Sequence, residues 1–166
     1  MPSYGTMSAS PLSRPVRVAT VIAAVYIAFV FIQSLFFKFT GSVETDYIFG
    51  TLDAWASDLT GVAGLFAPGG IFSAYVIGTA ELVASILVLA GVFLRKPVIL
   101  GLGALMSMGV MTGAIFFHLF TPLGVEILGD GGLLFGMACF VWLAALAILI
   151  LNRHGILAAL PFGKVH

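Results

Sequence analysis

Charge is what this sequence has least of. Seven Lys and Arg residues and seven Asp and Glu residues make up 8% of a 166-residue chain, and they cancel to a formal net charge of zero. A soluble domain carries about 25% charged residues, so a soluble fold is excluded. The lack of a basic excess excludes nucleic acid as a partner. Cysteine is nearly absent too. Cys139 stands alone, which rules out a disulfide within the chain and the dithiol chemistry of a quinone-linked thiol oxidase. No glycine-rich phosphate loop occurs, and no nucleophile stands at a recognisable spacing from a base. No segment alternates polar and apolar residues as the strands of a membrane barrel do.

Hydrocarbon fills the space that charge leaves. Hydrophobic residues make up 61% of the chain, and the mean hydropathy is +1.18. A run of about 18 or more apolar residues spans a hydrocarbon core about 30 Å thick. Four such runs are legible, at residues 18–39, 71–94, 98–120 and 132–151. Backbone amides in lipid must be satisfied within their own segment, so each run is expected to be a helix. The fold class is therefore all-α, an integral membrane four-helix bundle within residues 14–154. A Ser-, Pro- and Gly-rich tail at 1–13 is expected to be disordered, and a short tail follows at 155–166. Pro15 suits the first turn of a helix. Phe36, Phe37, Lys38 and Phe39 close the first run where a signal peptide would have small residues, so that run is expected to stay as an anchor.

Six of the seven basic residues fall at one end of the expected bundle. Arg14 and Arg17 precede the first span, Arg95 and Lys96 join the second to the third, and Arg153 and Lys164 follow the fourth. Lys and Arg stay on the cytoplasmic side, so both termini are expected there. Glu44, Asp46, Asp53, Asp58, Glu126 and Asp130 all fall in the two external loops. The first of these, residues 40–70, is long for a bundle. In it Ile48, Leu52, Trp55 and Leu59 recur at helical spacing behind a capping Ser42, which predicts a short amphipathic helix on the outer surface. Trp55 would suit the headgroup zone, although such a helix can equally serve only to lid the bundle. Asp130 is read as the N-cap of the fourth span.

One carboxylate, Glu81, lies inside an apolar run. Counted from Tyr75 at the interface it is about 9 Å deep, where an anion facing lipid costs about 2.5 to 3.5 kcal/mol. It is expected to turn inward and find a partner. Gly78, Glu81 and Ser85 share one stripe of small and polar residues, as close helix contacts in membranes require. The candidate partners are Lys38 and His118, which close the first and third spans after the matching pairs Phe36–Phe37 and Phe116–Phe117. Side chains tilt toward the N-terminus of their own helix, so Lys38 and His118 lean into the bilayer while Glu81 leans up toward them. Gln33, Ser34, Ser85, Ser107, Met111 and Ala114 would extend a partly polar interior. Blander readings stand beside these. Lys38 can be a snorkelling anchor, His118 a helix-end histidine bonding the loop, and Glu81 half of a structural ion pair.

No metal site is expected. His118 and His154 lie at opposite ends of the bundle, which excludes a bis-histidine haem, and Met106, Met108 and Met111 are read as packing rather than as copper ligands.

The stretches QSLFFKFTGSVET, GTAELVASILVLAG, MTGAIFFHL and DGGLLF, in that order, resemble the DoxX family. The resemblance implies a small four-helix protein of the bacterial inner membrane, some relatives of which are membrane subunits of quinone-linked oxidoreductases. It carries the polar positions of the family onto Lys38, Glu81 and His118. Two functions follow. In the first the chain is an accessory subunit, with His118 or Lys38 contacting a quinone, Glu81 moving a proton, and Gln33, Ser34, Ser85 and Met111 lining the site. No cofactor is intrinsic, and a protein partner or a second copy completes the assembly. In the second the chain is a scaffold whose buried ion pair only locks the helices. A small-solute transporter is a third reading.

Overall fold

The computed structural model describes residues 13–159. The expected tail before Ser13 and the last residues of the chain, Lys164 among them, lie outside the described residues. Five helices follow in order: α1 (Arg14–Thr40), α2 (Val43–Thr60), α3 (Ala74–Phe93), α4 (Pro97–Phe120) and α5 (Leu133–Ala159). Helices α1, α3, α4 and α5 are long and apolar enough to cross a membrane, and they correspond to the four expected runs. Their ends differ for local reasons. Pro15 lets α1 begin at Arg14, because the ring presets helical φ and its missing N–H would have had no partner in the first turn. Helix α5 runs past the expected end at 151 to Ala159, since Arg153 and His154 ride on its exposed surface and do not stop it.

The four spans pack as a ring in which α1 touches α3 and α5, and α4 touches the same two. Most side chains that point into the ring are small or branched, with Phe31 the large exception among those fully buried. Ala24, Ile27, Phe31, Ala84, Val88, Ala104, Val141, Ala145 and Ile148 are fully buried. Helices α3 and α4 approach nearly backbone to backbone. A Cβ on Gly103 would stand 2.6 Å from the Val88 nitrogen, and one on Gly91 would stand 2.4 Å from that of Leu100. Such small-residue contacts are what hold helices together in lipid, where no hydrophobic force draws them in. Gly101 instead meets the Ile156 side chain of α5 at 3.2 Å, and Gly109 faces open space. At the basic end, the buried Asn152 on α5 donates to Thr20 Oγ1 on α1 at 3.0 Å and to the Ile148 carbonyl at 2.9 Å.

A second layer covers the acidic end. Ser42 caps α2 by accepting from the Thr45 N–H, as its sequence position implies. The apolar face of α2 turns toward protein, with Leu52 and Ala56 buried against Phe66 from the first loop and Leu123 and Ile127 from the second. Trp55 is half-buried there and packs edge-on to Phe117, with ring centroids 6.2 Å apart. Leu59 departs from the expected stripe and is exposed, one residue before α2 ends. Two further devices shape the loop after α2. The Asp53 carboxylate accepts from the N–H groups of Gly64 and Phe66. Gly70 runs so close to the Gly64 carbonyl that a Cβ would stand 2.2 Å from its oxygen, and only glycine fits there.

Gly103→Ala should force α3 and α4 apart and cost about 1 to 3 kcal/mol, read as a lowered midpoint in detergent unfolding. Gly109→Ala, made in parallel, should leave that midpoint unchanged, and equal losses from the two would contradict the packing described.

Candidate functional site

Ser34 and Lys38 stand four residues apart on α1, so they share one face, and that face meets Glu81 on α3. Lys38 Nζ lies 2.9 Å from Glu81 Oε2 and 3.1 Å from Oε1, and it also donates to Ser34 Oγ at 2.9 Å. Ser34 Oγ in turn donates to Glu81 Oε2. Glu81 is 3% exposed and Lys38 16%. The expected inward turn of Glu81 and its pairing with Lys38 are thus both present. Gly78, one turn before Glu81, makes the approach possible. A Cβ there would stand 3.2 Å from the Phe39 ring and 3.5 Å from Cδ of Lys38, whose stem crosses α3 at that point. Phe39 stacks on Tyr75 with centroids 5.8 Å apart and closes this side of the pair. Below, Ser85 donates to the Glu81 backbone carbonyl at 2.8 Å.

A cavity of about 490 Å³ opens on the acidic side of the pair. Its lining includes Lys38, Thr45, Asp46, Phe49, Phe66 and Tyr75. Lys38 alone belongs both to this lining and to the buried cluster, so its side chain links the deep carboxylate to a space that α2 roofs.

The remaining expected members are placed elsewhere. His118 does not join Lys38 and Glu81. Its Nδ1 stands 2.6 Å from the Gly124 carbonyl, and because a carbonyl only accepts, that nitrogen carries a proton. The loop after α4 folds back beneath the helix end, and this nearby acceptor takes the ring before it can reach across to α3. Phe135 on α5 packs against its edge, with centroids 5.6 Å apart. Gln33 is exposed on α1 beside Phe29, Ile32 and Phe36, and faces away from the bundle. Ser85 and Met111 are buried in the bundle, but neither they nor Ser34 line the cavity. The lining from α2 was missed in the sequence, although Thr45, Phe49 and Asp53 recur every four residues on one helical face. Tyr75 had stood only as a depth marker.

Asp130 organises the loop on the His118 side. Its Oδ1 accepts from the N–H groups of Ile127 and Gly132 at 2.8 and 2.9 Å, and its Oδ2 accepts from Leu134 at 2.9 Å, which caps α5. Burial pushes this carboxyl up, but the three N–H donors and the nearby His118 charge outweigh burial and hold it below the usual value.

A family model described as DoxX matches residues 19–119, more than half of the chain. The chain belongs to the DoxX family. No curated protein and no solved structure matches it. The matched stretch of this DoxX protein contains Lys38, Glu81 and His118 and stops one residue before α4 ends, leaving Asp130 and α5 outside it.

Lys38→Met would strand a buried carboxylate with only Ser34 for company and should destabilise the fold by about 3 kcal/mol. Adding Glu81→Leu should restore most of that loss in reversible unfolding, and no recovery would show that the two side chains are not coupled.

Asp130→Ala should cost about 1 kcal/mol at neutral pH, as lost helix caps do. Because the folded carboxyl titrates below its ordinary value of about 3.9, its stabilisation is complete above that value. It disappears as pH falls through the lower folded value. Unfolding midpoints of wild type and variant should therefore converge in acid, and a gap of constant size down to pH 2 would contradict the capping role.

Proposed function

We propose that this DoxX protein is a membrane subunit of a quinone-linked oxidoreductase, whose cavity beneath α2 receives the quinone headgroup. The single observation behind this reading is the position of Lys38, a cation held at one wall of a ligand-sized space by a buried carboxylate. Small-molecule sites enclose about 300 to 1,000 Å³, are mostly apolar and present a few fixed polar groups. Phe49, Phe66 and Tyr75 offer ring faces, and the Lys38 ammonium offers a charge-assisted donor to a carbonyl oxygen. When bound, a quinone supplies a couple of two electrons and two protons, with a partner protein as the other electron carrier. This chain's residues handle position and protons. Lys38 would hold a headgroup oxygen while Ser34 and Glu81 keep the ammonium in place. On oxidation of a quinol, Glu81 would take one of the two released protons by way of Lys38, which passes its own proton to the carboxylate and regains one from the quinol. With the basic end toward the cytoplasm of a bacterial inner membrane, the site opens toward the outer leaflet.

A structural lock is the second reading, and one observation favours it. Among the described residues, no buried side-chain nitrogen or oxygen lacks a partner, so the cluster is complete without a ligand. Lys38→Met/Glu81→Leu separates the two readings, because it removes the charges together. Protein extracted gently from its native membrane should carry quinone detectable by mass spectrometry, and the double variant should carry about tenfold less or lower still, as expected for loss of a charged hydrogen bond. Equal quinone content in a folded double variant would leave only the structural lock.

A further inference from the structure

All seven carboxylates of the chain fall in its acidic half, on α2, at Glu81 or in the loop before α5. The basic end therefore holds Arg14, Arg17, Arg95, Lys96 and Arg153, and among the described residues no Asp or Glu pairs with them. Most of these cations stand on separate elements. Arg14 and Arg17 are different, because they lie three residues apart on α1 and project from one face, about 5 to 6 Å apart at Cβ. Two like charges so placed repel each other. They also stand in the first turns of a helix, where the aligned peptide dipoles already disfavour a cation. Each guanidinium is exposed, and among the described residues neither takes part in an ion pair.

Between and below these two side chains lies a groove of about 380 Å³, lined by Arg14, Arg17, Val18, Val21 and Ile22. Its wall is cationic at the end of the helix and apolar one turn further in. The apolar side continues without a break. Val18, Ile22, Val25, Phe29 and Ile32 are all exposed and follow one another at intervals of three and four residues along α1. This stripe runs from the guanidinium pair into the depth of the bilayer.

We propose that the groove at Arg14 and Arg17 is a binding site for an anionic phospholipid. The phosphodiester bridges the two guanidiniums, each of which presents a planar fork of N–H donors to its oxygens. One acyl chain lies along Val18, Ile22 and Val25. The bridging anion removes the repulsion between the arginines and reverses the charge at the start of α1, which makes the helix end favourable. A free phosphate ion satisfies the first half of this description and gains nothing from the apolar stripe, and the lipid uses both.

The test uses the full chain in detergent, titrated with phosphatidylglycerol, with phosphatidylcholine, or with inorganic phosphate, and read by native mass spectrometry and thermal stability. Phosphatidylglycerol should remain bound and raise the melting temperature, and phosphatidylcholine should not. R14Q/R17Q should weaken retention by about tenfold or more, the scale set by two basic groups at an anionic surface. R14K/R17K keeps the charge that orients the first span but loses the two-pronged geometry, so it should fold normally and still weaken retention several-fold. R95Q/K96Q should leave retention unchanged. Equal weakening by R95Q/K96Q would overturn the proposal in favour of unspecific attraction to the whole basic end. Displacement of the lipid by millimolar phosphate would overturn it in favour of a free-anion site. Neither readout involves quinone, so the result is independent of the cavity beneath α2.

Discussion

One ammonium and one carboxylate hold the acidic half of this molecule in register. Lys38 and Glu81 sit where stray charge is expensive, and each is tolerable only because the other is within 3 Å. A pair of this kind is weak as a source of stability, since removing two ions from water costs about what their attraction returns. It is strong as a constraint. Rotating α1 by one residue, about 100°, would turn Lys38 toward lipid and leave Glu81 with no cation. Ser34 and Gly78 narrow the choice further. Ser34 ties the carboxylate and the ammonium to a single hydroxyl, and Gly78 is the gap through which the lysine stem passes. The ring of helices can therefore close in one arrangement at this level.

That constraint also sets where a ligand-sized space can form. The ion pair fixes the end of α1 against the start of α3, and the chain between them must rise, turn and come back. Helix α2 and its loop make that excursion, held by Asp53 on one side and by the small core of Leu52, Phe66, Leu123 and Ile127 on the other. The cavity is the space left between the excursion and the pair. One of its polar walls thus belongs to Lys38, the partner of the buried Glu81 carboxylate, while its roof belongs to an element with little contact to the bundle itself.

The spans, their order and the inward turn of Glu81 were legible in the sequence because lipid imposes strong rules on single residues. A lone acid in an apolar run has few ways to survive, and the tilt of side chains toward their own helix start pointed it at Lys38. The same tilt also pointed it at His118, and there it misled. Direction along a helix says nothing about a loop that returns beneath its end, and the Gly124 carbonyl six residues on captured the ring. Gln33 was misplaced for a related reason, since a polar residue in a span need not face inward when it stands between outward-facing phenylalanines. Trp55 showed amphipathic character but not its object. The apolar face of α2 was plain, whereas its partners Phe66, Leu123 and Ile127 come from irregular segments with no period to read.

The hydrogen bond between Asn152 and Thr20 has a further meaning when the order of synthesis is considered. These two residues are 132 positions apart, so α1 must wait in the membrane until α5 has been made before that contact can form. Thr20 has a local substitute in the meantime, because its hydroxyl donates to the Val16 carbonyl within its own helix. Lys38 has one as well, since its long stem lets the ammonium reach the water surface until α3 arrives. Helix α1 thus carries groups that are self-sufficient alone and become fasteners later, and the fastener at Thr20 closes only once α5 is in place.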